Sequence, residues 1–331
     1  MGIKDLKLLI KKNCPQSITH INYNDLRNKT IAIDTSIYLY KFKYGNNNFL
    51  LNFIKQIFKF KEFDIIPIYI FDGKPPLEKR DVIDNRKELK RKKYERKEEI
   101  EQKLEEYKNI IKDTNDKVSL YEENTKILED ELKKLKLSII SINKDDISNL
   151  KELFELLNVK FIEADTEAEI VCSRLCKNKL VYACLSDDTD ILPNGSTIFL
   201  TGYNLKKNYL IKYDYFEILK DLKLTQSEFV DLCILCGCDY TIKINKIGYI
   251  TAYKLILQYK TIENIIENIK DIEKYNITDK FMESFKFQDC RNIFLNNEYD
   301  IPTLNLENQE YNIDKFKEFI TKHKINYSIL N

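Results

Sequence analysis

Residues 180–192 read LVYACLSDDTDIL, a short apolar run that ends abruptly in three acids, Asp187, Asp188 and Asp190. The run has the composition of a buried parallel strand, and open α/β sheets bind ligands outside the carboxyl ends of such strands. Two other apolar runs, 30–34 (TIAID) and 65–72 (IIPIYIFD), also close on an aspartate. Three strands that deliver carboxylates to one edge of a sheet predict a site for a hard cation.

The order of the remaining segments predicts an α/β domain with a helical insertion and a helical appendix. Helices are expected at 3–12, 49–60, 147–157 and 165–177, and strands at 30–34, 65–71, 160–162, 180–185 and 197–201. Beyond Lys212 the pattern is helical throughout. The predicted divisions are the first part of the core (1–76), the insertion (77–143), the second part of the core (144–225) and the helical region (226–331).

The insertion is charged and contains no Gly or Pro from Lys79 to Asn143. Between Lys79 and Lys97 there are ten basic residues and four acidic ones. Farther on, a seven-residue repeat has ten apolar residues at twelve positions, which are Leu104, Tyr107, Ile111, Thr114, Val118, Tyr121, Thr125, Leu128, Leu132, Leu135, Ile139 and Ile142. This coiled-coil pattern fits one helix of about 40 residues, roughly 60 Å long, or a hairpin that turns at 113–116 (DTND). We expect the hairpin, because a compact domain rarely carries so long an unsupported helix.

Seven carboxylates form the candidate site, and they are Asp34, Asp72, Glu167, Glu169, Asp188, Asp190 and Asp239. A single aspartate at a strand end is usually a turn former or a helix cap, and we interpret Asp187 as such a solvent-facing residue. The joint pattern instead indicates cations, because clustered carboxylates repel one another and hold protons unless a cation neutralises them. Mg²⁺ prefers oxygen ligands, and two such ions a few Å apart suit the hydrolysis of a phosphodiester.

Composition excludes several other classes of protein. Lys and Arg number 54 against 53 Asp and Glu, so any binding of nucleic acid must come from local patches. The chain has no apolar run of roughly 18 residues that would span a membrane, and its start lacks the core of a signal peptide. Cys233, Cys236 and Cys238 have spacing that suits zinc, but no second cysteine pair or His lies nearby, which favours ordinary thiols in a reducing compartment.

Six segments together resemble the flap endonucleases, a family of structure-specific 5′ nucleases with a PIN-like catalytic core. They run in family order from residue 1 to about 260, as Met1-Gly2-Ile3 with the following helix, IAIDTSIYLY, PIYIFDGKPP, EADTEAEI, SDDTDIL and DLCILCGCDY. The resemblance implies a PIN-like, mostly parallel sheet flanked by helices, with a long helical arch and a C-terminal helix–loop–helix. It also implies two Mg²⁺ ions, for which Mn²⁺ would substitute. The implied ligands are Asp34, Asp72, Glu167 and Glu169 for one ion, and Asp188, Asp190 and Asp239 for the other.

The resemblance also gives catalytic roles to Lys79, Arg86 and Asp188. Lys79 and Arg86 would act at the scissile phosphate, where a cation stabilises charge in the transition state. The insertion would be an arch through which a 5′ single strand passes. Tyr40 would stack on an unpaired base, worth on the order of 1–3 kcal/mol, although the residue alone fits a core aromatic equally well. Gly2 would lie near the site, where a side chain would block the backbone of the substrate.

The segment 226–258 resembles the family's duplex-binding helix–loop–helix. By this resemblance Gly237, Lys243, Lys246 and Gly248 would contact DNA, and the loop would bind K⁺. The sequence departs from the family's Gly-Ile-Gly-Pro turn, which here is Lys246-Ile247-Gly248-Tyr249, and Ile250 stands where a basic residue is common. This departure weakens the expectation of K⁺.

Two further departures concern the DNA ends and a partner. The segment 34–72 is short for a flap endonuclease, and Gln56 stands where an arginine is expected, so we expect a reduced 3′-flap pocket. No sliding-clamp box of the form Gln-x-x-aliphatic-x-x-aromatic-aromatic is found, so recruitment through that motif is not expected.

These expectations describe a Mg²⁺-dependent endonuclease that cuts 5′ flaps and other branched DNA in replication and repair. A 5′→3′ exonuclease, a Holliday-junction nuclease and a repair-bubble nuclease of the same superfamily stay open as alternatives. A non-catalytic protein that binds a partner or a second copy of itself through residues 100–142 is the alternative outside enzymes. We expect an intracellular location, either the nucleus for a cellular protein or the host nucleus or cytoplasmic replication site for a viral one.

Overall fold

The computed structural model describes residues 2–44, 48–113, 118–295 and 312–326. The strands in these residues are β1 (Ile18–Asn22), β2 (Thr30–Asp34), β3 (Ile66–Phe71), β4 (Lys160–Glu163), β5 (Ala183–Leu185), β6 (Ile198–Thr201) and β7 (Tyr209–Asp214). They form one sheet in the order β1-β7-β6-β5-β2-β3-β4. The pairs from β6 through β5, β2 and β3 to β4 are parallel, and β7 pairs antiparallel with both β6 and β1. The predicted mostly parallel sheet is therefore confirmed.

The strand order reverses between β2 and β5. From β2 the chain proceeds through β3 to the edge at β4, and it then returns to β5 on the other side of β2. Neighbouring strands at such a reversal leave a crevice at their carboxyl ends, which is where open α/β sheets bind ligands. Ile33 of β2 pairs with Leu185 of β5, so the acids that follow both strands emerge at this crevice.

Helices cover both faces of the sheet. They are α1 (Leu6–Asn13), α2 (Thr35–Lys43), α3 (Phe49–Glu62), α4 (Arg80–Asp113), α5 (Val118–Ser138), α6 (Lys144–Leu156), α7 (Ala168–Lys177), α8 (Tyr215–Leu222), α9 (Gln226–Cys236), α10 (Tyr249–Tyr259), α11 (Ile262–Ile269), α12 (Asp279–Ser284), α13 (Phe287–Leu295) and α14 (Ile313–Lys322). Side chains alternate along β2, so Ile31 and Ile33 pack with α2, α3 and α6, whereas Ala32 packs with α1 and α7. Within the described residues, no helix is long and apolar enough to cross a membrane.

The insertion forms the expected helical hairpin rather than one long helix. Near its base Lys93 donates to the carbonyl of Ser138 (3.5 Å), and farther out the rings of Tyr107 and Tyr121 lie 5.4 Å apart, so α4 and α5 run antiparallel. Leu104 of the heptad repeat is buried, which shows that the repeat packs within the chain. Residues 114–117, where the turn was expected, lie outside the described residues.

The sequence did not predict β1 or β7, and the expectation of helices everywhere beyond Lys212 is wrong for the last residues of β7. β1 is at an edge of the sheet and has one partner strand, and β7 lies next to it. In β1 the side chains of Thr19, His20 and Asn22 are exposed. Such strands lack the continuous apolar run that marks β2 and β3.

Candidate active site

Asp34, Asp72, Glu167 and Glu169 come from three elements that meet at the carboxyl edge of the sheet. Asp34 ends β2, and its carboxylate accepts hydrogen bonds from the Ile37 amide (3.3 Å) and from the Ser186 hydroxyl (2.9 Å). Asp72 follows β3 and accepts from the amide of Ala168 (2.8 Å), the first residue of α7. The start of α7 is thereby held against β3, and Glu167 and Glu169 flank Ala168.

Asp188 and Asp190 lie on a short 3₁₀ turn after β5, and Asp239 lies just after the end of α9. Asp188 Oδ1 accepts from the Asp190 amide (3.0 Å), and the Asp188 amide donates to Ser186 Oγ (3.0 Å). Asp190 is only 1% exposed, and within the described part of the chain its Oδ1 has no hydrogen-bond partner. A buried oxygen of this kind is costly unless another group, such as a cation, compensates it.

The buried acids Asp34, Glu169 and Asp190 all have raised pKa values. Burial, followed by the charge of Asp72, raises the pKa of Asp34 from 3.8 to about 8. Burial also raises the pKa of Glu169 and that of Asp190 well above the ordinary values. The carboxylates whose charges contribute to these three shifts include Asp34, Asp72, Glu167, Asp188 and Asp239. The seven predicted carboxylates thus form one electrostatically coupled cluster.

Two cations of the insertion contact this cluster. Lys79 is 8% exposed, and its ammonium binds Glu167 and lies 3.7 Å from Glu169 Oε1 and 3.8 Å from Asp239 Oδ2. Burial alone would lower the pKa of Lys79, but Glu169 and Glu167 together raise it above its ordinary value. Arg86 Nη2 lies 2.6 Å from Asp239 Oδ2. Lys79 and Arg86 therefore lie beside the carboxylates, and their role at a scissile phosphate stays a prediction.

Tyr240 also supports the cluster, and the sequence analysis gave it no role. Its hydroxyl donates to Glu167 Oε2 (2.8 Å), and its ring centroid lies 5.6 Å from the Lys79 ammonium. The available signal was its place directly after Asp239 in the segment DLCILCGCDY. This position alone does not indicate a contact with Glu167, because the two residues are 73 positions apart in the sequence.

Asp187, interpreted as solvent-facing, has a side chain that is 31% exposed, but its carboxylate is also held by the protein. Its Oδ2 lies 2.7 Å from the Lys41 ammonium of α2, and its Oδ1 accepts from the Thr201 hydroxyl (2.6 Å) and the Gly202 amide (3.1 Å). Burial opposes the charged form, but these hydrogen bonds hold the pKa of Asp187 below its ordinary value. Asp187 thus joins β6 to α2 beside the cluster.

Gly2 lies directly against Asp188. Its φ is +80°, and a methyl group on its Cα would be 2.0 Å from Asp188 Oδ1, so a side chain would collide with a candidate ligand. The expected position near the site is thus observed, and the protein itself already excludes a side chain at Gly2. The Lys4 amide donates to the Gly237 carbonyl (3.1 Å), and the N-terminal segment and the loop after α9 border a cleft of about 470 Å³ that reaches Asp239.

The other residues expected at DNA differ in exposure. Tyr40 is 47% exposed on α2, so it is not a core aromatic. Lys246 is exposed, Lys243 is half-buried, and Gly248 is the N-cap of α10.

Gln56 lies in the core, and its Oε1 accepts from the Tyr69 hydroxyl (2.9 Å). It is therefore not available to contact DNA where an arginine of the 3′-flap pocket was expected.

The donor set fits a hard divalent cation. In the ranges that the structure describes, no three Asp, Glu, His or Cys side chains converge as a ready coordination shell. The Lys79 ammonium instead lies among three carboxylates. All seven candidate donors supply oxygen, which Mg²⁺ prefers, and the unpartnered Asp190 Oδ1 still requires compensation.

Comparison with known proteins is consistent with this geometry. The XPG N-terminal domain matches residues 1–93, and the XPG I-region matches residues 158–239. The chain is 32% identical to flap endonuclease 1-2 of Paramecium tetraurelia, over 98% of this chain and 84% of that protein. It is also 32% identical to flap endonuclease 1 of Plasmodium falciparum, of which it spans 50%. The catalytic core of Rad2 in complex with DNA substrate shares the fold, with a TM-score of 0.71, 21% identity and 99% of each chain covered.

Proposed function

This chain belongs to the flap endonuclease family of nucleases, hydrolases that act on DNA, and from that premise we propose that it cuts branched DNA where a 5′ single strand meets duplex. The observation that carries the proposal is the cluster of seven carboxylates at the reversal point of the sheet. Cuts at this site would leave 5′-phosphate and 3′-hydroxyl ends. Such branched substrates arise in DNA replication and repair, which we propose as the setting of the activity.

We propose that the carboxylates hold two Mg²⁺ ions, for which Mn²⁺ can substitute. One group of ligands is Asp34, Asp72, Glu167 and Glu169, and the other is Asp188, Asp190 and Asp239. When bound, such ions activate water for in-line attack and stabilise the leaving 3′ oxygen. The buried Asp190 oxygen without a partner supports this assignment, because it is an acceptor that a cation would compensate.

Lys79 and Arg86 would bind the non-bridging oxygens of the scissile phosphate. Both already contact acids of the cluster, Lys79 at Glu167 and Arg86 at Asp239. A phosphate that enters the cluster would therefore meet two cations at once, which would neutralise charge that develops in the transition state. Arg86 is 49% exposed on its side chain, so it can turn from Asp239 to a phosphate without disturbing the core.

The proposed path of the DNA runs along the basic residues of the insertion and of the loop between α9 and α10. Ten basic residues lie between 79 and 97 at the base of the hairpin, and the first of them, Lys79, contacts the carboxylates. A single strand would pass along this base, and the exposed Tyr40 would stack on an unpaired base. The duplex would lie on the loop between α9 and α10, where Lys243, Lys246 and the amides around Gly248 would contact phosphates without reading sequence.

A panel of DNA substrates tests the proposal. A 5′ flap, a double flap, a blunt duplex, a bubble and a four-way junction are each incubated with the protein in Mg²⁺ or EDTA. The proposal expects cleavage of the flaps at the junction with duplex and none in EDTA. Preferred cutting of the bubble, the four-way junction or the blunt end would instead identify one of the sibling activities, and binding without cleavage would identify a scaffold.

Asp188→Asn tests the metal assignment, and Asp187→Asn is its matched control. The asparagine side chain in Asp188→Asn would keep the oxygen that accepts from the Asp190 amide, so the variant removes charge with little change in the local fold. We expect Asp188→Asn to abolish cleavage while binding of a flap in EDTA persists, and Asp187→Asn to retain cleavage. Turnover of Asp188→Asn at the wild-type rate would remove Asp188 from the ligand set.

A further inference from the structure

Two thiols lie next to each other at the edge of the candidate active site. All eight cysteines are unbridged, and seven of them are buried. Cys238 is half-buried and lines the cleft of about 470 Å³ that also contains Gly2 and Asp239. Its Sγ lies 4.0 Å from Sγ of Cys290, a buried residue of α13. One thiol at the edge of the cleft therefore has a second, buried thiol next to it.

The two backbone segments that carry this pair are already joined by a hydrogen bond. Cys238 belongs to the loop after α9, and the amide of Lys286, just before α13, donates to the hydroxyl of Thr241 in the same loop (2.8 Å). A disulfide needs an S–S distance of about 2.05 Å, so the two sulfurs must approach by about 2 Å. Rotation of the side chains, with a small shift of the loop, supplies a movement of this size.

Cys176 also lines a cleft and has Cys184 as a partner thiol, but both of these residues are buried (1% and 0% exposed), whereas Cys238 is half-buried. Cys233 and Cys236 lie on α9 and are buried in the core, where a dissolved oxidant does not reach them. Thiols that sense oxidants are solvent-accessible and often lie next to a resolving cysteine. In a reducing compartment, disulfides of this kind are usually transient.

We propose that Cys238 and Cys290 form a modification site for hydroperoxides, and that its oxidation reversibly inhibits the nuclease. The Cys238 thiolate attacks the peroxide oxygen, the O–O bond breaks, and Cys238 becomes a sulfenic acid while hydroxide (or alkoxide) leaves and takes a proton. The Cys290 sulfur then attacks the Cys238 sulfur, the S–O bond breaks, and the hydroxyl leaves as water with the Cys290 proton. The two thiols together lose two electrons, and one hydroperoxide accepts them.

The effect on activity rests on the proposed function and acts through Asp239. Asp239 directly follows Cys238, and its carboxylate contacts Arg86 (2.6 Å) and lies 3.8 Å from the Lys79 ammonium. Movement of the Cys238 sulfur toward α13 moves the backbone that carries this carboxylate. Because displaced support around a metal ligand lowers activity by about tenfold or more, oxidation should reduce cleavage by at least that factor.

Peptide mapping tests the site without any need for nuclease activity. The folded, full-length protein is treated with graded hydrogen peroxide, its remaining thiols are alkylated, and its peptides are analysed by mass spectrometry. We expect a peptide pair linked through Cys238 and Cys290 that a thiol reductant separates. Cys290→Ser should give a trappable sulfenic acid on Cys238 and no link, and the control Cys233→Ser should keep the link. The absence of the link in the wild type would overturn the proposal.

Cleavage assays then test the regulation, with each variant compared with its own reduced form. Wild-type cleavage should fall on oxidation and return with reductant, whereas Cys238→Ser should lose less than about twofold under the same treatment, because it lacks the sulfur that the peroxide oxidises. An equal loss in both proteins would refute regulation through Cys238. Absence of cleavage by the reduced wild type would refute the proposed function instead, while the peptide result would still decide the modification site.

Discussion

Replacement of Lys79 by methionine should destabilise the metal-free protein strongly and the magnesium-loaded protein only slightly. Lys79 is a buried cation among Glu167, Glu169 and Asp239, and methionine has a similar length without the charge. Removal of one partner of a buried ion pair costs about 3–5 kcal/mol, because the remaining charge is left uncompensated. For a chain of this size each kcal/mol corresponds to roughly 2 °C in Tm, so we expect a decrease of roughly 6–10 °C in EDTA.

Magnesium should reverse most of this loss. Without the ammonium, the carboxylates bind a divalent cation more readily, and a ligand that binds only the folded state stabilises it in proportion to its saturation. We therefore expect Lys79→Met to gain more stability from Mg²⁺ than the wild type does, and the two to differ by less than about 1 kcal/mol at saturation. Cleavage should stay impaired, because the phosphate has lost a cation.

Unfolding by heat and by urea, in EDTA and across a titration with Mg²⁺, measures both effects. Lys87→Met is the matched control, because Lys87 is exposed on α4 and, among the residues that the structure describes, forms an ion pair only with the exposed Asp84 (2.9 Å). That variant should change stability by no more than about 0.5 kcal/mol in either buffer. Lys79 does not compensate the buried acids if Lys79→Met is as stable as the wild type in EDTA, or if Mg²⁺ leaves its loss of stability unchanged.

Three further predictions concern the same cluster. Arg86→Ala should slow single-turnover cleavage about 100-fold, because the phosphate loses a cation. It should barely change stability, because the ion pair of Arg86 with Asp239 is half-exposed. An unchanged cleavage rate would show that Arg86 takes no part in the chemistry. Tyr240→Phe should lose about 1–3 kcal/mol of stability in urea and need more Mg²⁺ for half-maximal cleavage, because Glu167 loses a buried donor, and no change in either measurement would contradict its supporting role. In EDTA, stability should fall as pH rises from about 4 to about 8, because Asp34 in the folded protein holds its proton up to about 8 whereas its ordinary pKa is 3.8. Asp34→Asn should flatten this profile relative to the wild type, and an equal slope in both proteins would disprove the contribution of Asp34.

The sequence predicted the parts of the site that depend on local pattern. β2 and β3 are apolar on both faces and end at or just before Asp34 and Asp72, so both the strands and the edge at which the acids meet could be predicted. The heptad repeat fitted either one long helix or a hairpin, and the hairpin was predicted because a compact domain rarely carries so long an unsupported helix. The edge strand β1 could not be predicted, because its exposed polar side chains hide the alternation that a buried face would produce.

The partners of individual side chains were beyond prediction because they depend on contacts between distant segments. Asp187 stands beside two candidate ligands in the sequence, yet Lys41 and Thr201 turn its carboxylate toward α2 and β6. Residue type alone gave no sign that Lys79 would be buried against Glu167. Cys238 and Cys290 are 52 positions apart, and only the packing of α13 on the loop after α9 brings them together.

The two cations that compensate the carboxylates both come from the insertion rather than from the sheet. Lys79 immediately precedes α4 and Arg86 lies on its second turn, so one helix start supplies positive charge to acids carried by the start of α7 and by the loop after α9. Lys79 is buried, and its loss must therefore be compensated within the fold, whereas Arg86 is half-exposed and water can replace it. The same helix start thus contains one cation whose removal should appear mainly in stability and one whose removal should appear mainly in rate. That difference separates the two roles experimentally even though both side chains lie within 4 Å of Asp239.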